Sequence, residues 1–202
     1  MNEPDWVGAR AYALERLQQE LQPHVVYHSV AHTACEVIQA VEQMVVLEGV
    51  AAADAVLLRT AVYFHDLGFI QQRIGHEQAG VQIACEVLPR FGYSTAQIET
   101  VCNLIMATRM PQTPHTLFEQ IIADADLSVL GGADFAIRNQ QLRLEIAAEG
   151  TGFSDTAWYE GQVAFLQQHR YWTAAARSLY DAAKQRHLAQ FQALLGHSPI
   201  NL

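Results

Sequence analysis

Two strongly apolar segments carry ionisable groups where a packed helix would bury them. One is Ala61-Val-Tyr-Phe-His65-Asp66-Leu-Gly-Phe69; the other is Ile121-Ile-Ala-Asp124-Ala-Asp126-Leu-Ser128. A buried carboxylate is unfavourable by several kcal/mol unless it is paired or coordinates a cation. A third island, Tyr27-His28-Ser-Val-Ala-His32, places two histidines four residues apart, which predicts one helical face for both. His65 and Asp66 are adjacent, about 100° apart on a helix. They can therefore reach one ion only from its inner end, where side chains of unequal length converge. One His, a His-Asp pair and one Asp make a mixed nitrogen and oxygen set. Such a set suits a divalent cation (Mn, Fe, Zn, Ni, Co or Mg) with water in the open positions. Asp124 and Asp126 lie two residues apart and point to different sides of their helix, so only one of them can join the set.

The elements that must position these residues read as helices throughout. Apolar residues recur at three and four, and no alternating strand pattern persists. Residues 5–21 predict a first helix with Trp6, Ala9, Ala13, Leu14 and Leu17 inward. A second runs through Val30, Ala34, Val37, Ile38, Val41 and Val45 to Gly49. Residues 51–67 are apolar almost all round, the mark of a central buried helix, with Gly68 placed to stop it. A helix over 76–88 is closed by Pro89 and Gly92. Ser94-Thr-Ala-Gln97 and Thr116-Leu-Phe-Glu119 have the form of capping boxes, each opening a further helix. Gly131-Gly132 is placed to end the Asp124 helix, and helices near 134–149, 155–169 and 173–195 complete the chain. The expected fold is all-α, eight or nine helices in a single domain over 1–202. The motif core spans 27–130, and the helices over 134–196 pack on it.

The chain of 202 residues is half apolar and 16% charged, which excludes wholesale disorder. A formal charge of −9 argues against non-specific binding to nucleic acid or anionic membrane, and a bound divalent cation would cancel part of it. Cys35, Cys85 and Cys102 are odd in number and form no Cys-x-x-Cys, so neither a disulfide framework nor a thiolate zinc site is expected. They read as buried, inert thiols of a reducing compartment. The N-terminal stretch is acidic and lacks the apolar core of a signal peptide. No run reaches the roughly 18 apolar residues of a membrane span. The expected location is the cytoplasm.

The order His…His-Asp…Asp over residues 27–130 resembles the HD superfamily of metal-dependent phosphohydrolases. Tyr27-His28-x-x-x-His32 is similar to the opening motif of its cyclic-nucleotide phosphodiesterase branch. His65-Asp66 matches the pair that names the superfamily. Ala107-Thr108-x-Met110 and Ala125-Asp126-Leu-Ser128 are similar to the same branch. The whole chain, with its Asp124-Ala-Asp-Leu-Ser-Val-Leu-Gly131 and its tail His169-Arg-Tyr-Trp-Thr173, is closer to small bacterial stand-alone members. The resemblance implies that His32, His65, Asp66 and Asp126 hold metal, and that His28 protonates the leaving oxygen. It leaves Asp124 as a partner behind the ligands or a helix-packing contact. Asp66 or Asp126 would orient the attacking water.

The family resemblance also draws attention to His76-Glu77, ten residues past the pair. In some branches a His here holds a second metal, and in others a Glu activates water. Where dinuclear members carry a further His, this chain has Thr108, which argues against a full dinuclear site. Arg109, Arg138, Arg143, Arg170 and Lys184 are candidate phosphate clamps, and Arg109 leads because it follows Thr108. Trp158, Tyr159, Tyr171 and Trp172 could stack a base, although aromatics at helical spacing usually serve the core. The implied activity is hydrolysis of a phosphate ester or anhydride in a small phosphorylated metabolite or nucleotide. Members of this type often dimerise, so a homodimer is an expected partner state. Two alternatives keep the fold: a di-iron oxygenase, needing two metals and extra His ligands, and a binding module that turns nothing over.

Overall fold

The computed structural model describes residues 3–196. Among them are nine α-helices and no strand: α1 Trp6–Glu20, α2 Ile38–Leu47, α3 Ala52–His65, α4 His76–Val87, α5 Thr95–Ala107, α6 Leu117–Asp126, α7 Phe135–Ala148, α8 Asp155–Gln168 and α9 Ala174–Gly196. No described helix is long and apolar enough to cross a membrane.

The all-round apolar character of α3 is explained by its position. It packs against α1, α2, α4, α5 and α6 and buries Ala55, Leu58 and every residue from Thr60 to His65. Leu17, Val41, Met44, Leu104, Ile105, Ile121 and Ile122 close around its Leu58 and Phe64 as the main core. A smaller cluster of Leu130, Phe135, Leu166 and Phe191 joins α7, α8 and α9. Both capping boxes form as their sequences predict, with Ser94 and Thr116 each accepting from the third helical N–H and Gln97 and Glu119 answering the cap backbone.

The structure corrects four local expectations. His28 does not share a helical face with His32: it lies in the turn before the helix, and a widened π-helical turn, His32–Val37, leads into α2. Gly68 does not stop α3, which ends at His65; Gly68 belongs to a 3₁₀ turn, Leu67–Ile70. Its need for glycine is spatial, since a Cβ there would fall 1.9 Å from the carbonyl oxygen of His76. That contact seats the start of α4 directly on the turn after Asp66. Gly131-Gly132 likewise does not end α6, which stops at Asp126 before a 3₁₀ turn over Ser128–Gly131. The cysteines are not buried: Cys35 and Cys85 are exposed and Cys102 is half-buried. The sulfurs of Cys85 and Cys102 lie 3.5 Å apart across α4 and α5.

Candidate metal centre

Helix ends deliver the site. His65 is the last residue of α3, and Asp66 leaves the helix at φ −98°, ψ 1°. This break replaces the 100° helical separation expected for the pair and lets both side chains meet one point. Asp126 is the last residue of α6, and His32 opens the π-helical turn. Helix ends and π turns are where the backbone departs from its regular ladder and can re-aim a side chain.

The four groups converge. His65 Nε2 lies 3.2 Å from Asp66 Oδ2 and 3.5 Å from Asp126 Oδ1. His32 Nε2 lies 3.3 Å from Asp126 Oδ1 and 3.7 Å from Asp66 Oδ2. Donor atoms of His32, His65 and Asp66 all fall within 4.8 Å of one another. Each imidazole is anchored through its other nitrogen, His65 Nδ1 on the Val62 carbonyl at 2.7 Å and His32 Nδ1 on Glu36 Oε2 at 3.0 Å. With Nδ1–H donating, Nε2 presents a lone pair, the usual posture of a ligating histidine.

Buried His65 Nε2 and Asp66 Oδ2 have no hydrogen-bond partner. A lone pair facing an anionic oxygen is repulsive unless a positive charge lies between them. Ligands held at about 2.0–2.2 Å on one cation stand roughly 3.0–3.5 Å apart at angles of about 90–109°. The observed separations lie at or just above that range, so these residues fit a divalent cation.

Without a cation, the groups compensate each other as ions. Burial opposes charge on His65, but Asp66 and Asp126 override it and raise the imidazole well above its usual value. His32 is raised in the same way against burial, by Asp126 and Glu36. Burial pushes Asp66 and Asp126 up, yet the imidazoles prevail: Asp66 lies far below the carboxylate range and Asp126 at about 2.

Around this centre lies a cavity of about 780 Å³, lined in part by His28, Asp66, His76, Glu77, Thr108, Arg109 and Asp126. His76 Nδ1 is anchored on the Arg73 carbonyl at 3.0 Å, and its Nε2 lies 3.6 Å from Asp66 Oδ1. Asp66 thus turns one oxygen to His32 and His65 and the other to His76. Glu77 is buried beside His76, 3.7 Å from its Nδ1. Thr108 donates to its own helix, at the Ile105 carbonyl, and reaches no histidine of the group.

Asp124 points away from the centre. It accepts from the Trp172 and Thr173 backbone N–H groups and from the Thr173 hydroxyl, each at 2.8 Å, and so anchors the start of α9. Of the five candidate clamps, only Arg109 lines the cavity. Arg138 is held by Glu36 and the Tyr27 carbonyl, Arg143 by Asp155, Arg170 by neighbouring carbonyls, and Lys184 by Asp181 and His169. Of Trp158, Tyr159, Tyr171 and Trp172, only Trp158 lines the cavity.

Sequence reasoning missed Glu145. It is fully buried and accepts from the backbone N–H groups of Tyr27 and His28, from His28 Nδ1 at 2.6 Å and from Arg73 at 2.9 Å. Burial raises its carboxyl, but His28 and these N–H donors bring it below the ordinary value. His28 is held on its face by Phe69, stacked at 4.1 Å. In sequence, Glu145 sits in Arg143-Leu-Glu-Ile-Ala-Ala-Glu149, indistinguishable from a solvated helix face. Glu36 and Arg73 gave no signal either.

A crystal structure at 1.45 Å of a predicted HD superfamily hydrolase from an uncultured Thermotogales bacterium has the same fold. It is 19% identical, with a TM-score of 0.63 over 96% of this chain and 92% of that one. No curated protein matches the chain. The family model for the HD domain matches residues 25–128, a span that begins just before Tyr27 and closes just after Asp126. With His65-Asp66 at the junction of the four converging side chains and that match over half its length, the chain belongs to the HD-domain family.

Proposed function

We propose that this protein is a metal-dependent phosphohydrolase acting on a small phosphorylated metabolite or nucleotide. The observation that carries the reading is the unpartnered pair of buried donors, His65 Nε2 and Asp66 Oδ2, beside a cavity that also holds His28 and Arg109. His32, His65, Asp66 and Asp126 would hold the cation. When bound, it supplies Lewis-acid polarisation of a phosphoryl oxygen and an acidified water near neutral pH.

The chain's own residues supply the rest. Arg109, which forms no ion pair among the described residues, offers its guanidinium fork to the phosphate. Asp66 and Asp126 line the cavity as acceptors that orient a water for attack. His28, with Nδ1–H tied to Glu145, would as the cationic imidazolium give its Nε2 proton to the departing oxygen.

The placement of His76 near Asp66 Oδ1 favours a second reading, in which His76 and Asp66 would together hold a second cation. A two-metal hydrolase and a di-iron oxygenase both require it. Elemental analysis, paired with phosphatase and phosphodiesterase assays in Mn²⁺, Mg²⁺, Ni²⁺ and Co²⁺, separates the readings. Metal-dependent phosphate release that disappears in Asp126→Ala is the expected result. Two bound irons with no phosphate release would select the oxygenase, and neither metal nor turnover would leave the binding module.

A further inference from the structure

Most of the cavity lies beyond the metal centre, and that part is apolar. Its walls are built by the turn after α6 and by α7 and α8, through Leu130, Phe135, Leu142, Ile146, Trp158 and Phe165. A volume of about 780 Å³ falls within the roughly 300–1,000 Å³ of sites that enclose a small ligand, and far exceeds what a phosphate alone requires.

Trp158, Asn139 and Gln162, the polar residues of these walls, bond to one another in a chain. Trp158 Nε1 donates to Asn139 Oδ1 at 2.8 Å, and Asn139 Nδ2 donates to Gln162 Oε1 at 2.6 Å. Reading the edge of a nucleobase requires donors and acceptors left open at the wall. Here the indole N–H and the asparagine carbonyl are already closed on one another. Arg73, the other cation on the lining, is committed to Glu145 and Glu149.

The rim repeats the pattern. Three large apolar side chains stand in solvent on the lining of this cavity: Ile74 at 91% exposed, Met110 at 51% and Phe153 at 41%. Apolar groups gathered at the mouth of an apolar cavity mark a surface that a ligand covers.

We infer that the chamber formed by Leu142, Trp158 and Phe165 holds a hydrocarbon group, so that the substrate is a phosphate ester of an alcohol with an apolar alkyl or aryl body. The inference rests on the phosphohydrolase reading and narrows its substrate from phosphorylated metabolites at large to amphiphilic ones. The phosphate faces Asp66, Asp126 and Arg109, and the hydrocarbon runs past Leu130 toward Trp158.

The test measures two quantities on the full-length, Mn²⁺-loaded protein. One is kcat/KM for n-alkyl phosphates from methyl to octyl, with adenosine 5′-monophosphate as the polar comparison. The other is calorimetric affinity for the uncleavable n-alkyl phosphonates of the same lengths. Both should rise by about fourfold per buried methylene, with adenosine 5′-monophosphate no better than methyl phosphate. Leu142→Glu should flatten both series, and so should Phe153→Asp, whose site is exposed enough for the variant to fold. Turnover independent of chain length, or best with the nucleotide, would overturn the hydrocarbon assignment and leave the phosphohydrolase standing. Chain-dependent phosphonate affinity without phosphate release from any ester would sustain the chamber and overturn the hydrolase reading. Flat affinity without turnover would overturn both.

Discussion

Nδ1 of His28 lies 2.6 Å from Oε1 of Glu145, a residue 117 positions later in the chain. The same carboxylate accepts from the backbone N–H groups of Tyr27 and His28 and from Arg73. A histidine in a turn has no helix to orient it, and here the orientation comes from across the fold. The arrangement commits Nδ1 to Glu145 and leaves Nε2 as the nitrogen free for the cavity. It makes Glu145 a positioning residue, acting only through His28.

Leaving-group dependence checks this relationship. His28→Ala should lower kcat by about 10²–10⁴-fold on an alkyl phosphate, whose alkoxide needs a proton. On p-nitrophenyl phosphate, whose leaving group needs none, the loss should be small. Glu145→Gln should reproduce the pattern with a smaller loss and unchanged metal content. An equal loss on both substrates would reduce the pair to a packing contact.

The metal ligands should separate cleanly from their neighbours. His65→Ala, Asp66→Ala and Asp126→Ala are each expected to strip the cation, as read by elemental analysis after gel filtration. Unchanged metal in all three would remove the site.

Asp124→Ala, two residues from Asp126, should behave in the opposite way. It leaves two backbone N–H groups and the Thr173 hydroxyl without their acceptor at the start of α9. The expected loss is about 1–3 kcal/mol of stability in denaturant unfolding, with metal stoichiometry intact. Loss of metal with no change in stability would reverse the assignment of the two aspartates.

Proton competition sets the pH dependence of metal binding. His32 and His65 hold protons in the metal-free protein above the ordinary 6.5, so a cation must displace them. Affinity should therefore climb as pH rises above 6.5, with proton release visible as buffer-dependent heats in calorimetry. The metal-free fold runs the other way. Its stabilisation from the raised imidazoles is complete below 6.5 and is lost as pH rises through their folded values. The contribution of Asp126, lowered from 3.8 to about 2, is present above 3.8 and is lost as pH falls toward 2. Metal-free Tm should thus peak between 3.8 and 6.5, and a Tm still rising above pH 7 without metal would contradict this balance.

Cys85 and Cys102, with sulfurs 3.5 Å apart, need little movement to bond. Burial pushes the Cys102 thiol up to about 12, and Cys85 is the exposed member of the pair, so an oxidant is expected to reach Cys85 first. Diamide treatment should remove two of three titratable thiols and leave Cys35, and Cys85→Ser should block the loss. Three thiols remaining after treatment would show that the pair does not close.

Local patterns in the sequence determined the helices, both capping boxes and the apolar setting of His65, Asp66 and Asp126. Periodicity and capping act within a few residues, so one chain read in order contains them. The same is true of the ordered His…His-Asp…Asp motif, whose members stand in or beside helices that the apolar periodicity marks. Other features depended on contacts between separate elements, and no local spacing encodes those. Glu145 became the partner of His28 because α7 folds back over the turn before α2. Asp124 became an anchor for α9, while Asp126 turned to the histidines, because two positions apart in the last turn of α6 they face different sides of the helix. The break after His65 and the glycine that seats α4 on it are likewise matters of packing: a carbonyl 1.9 Å from a Cβ position is visible only once both segments are in place. The apolar chamber beside the centre follows the same rule, since its walls come from the turn after α6, from α7 and from α8, which meet only in the folded protein.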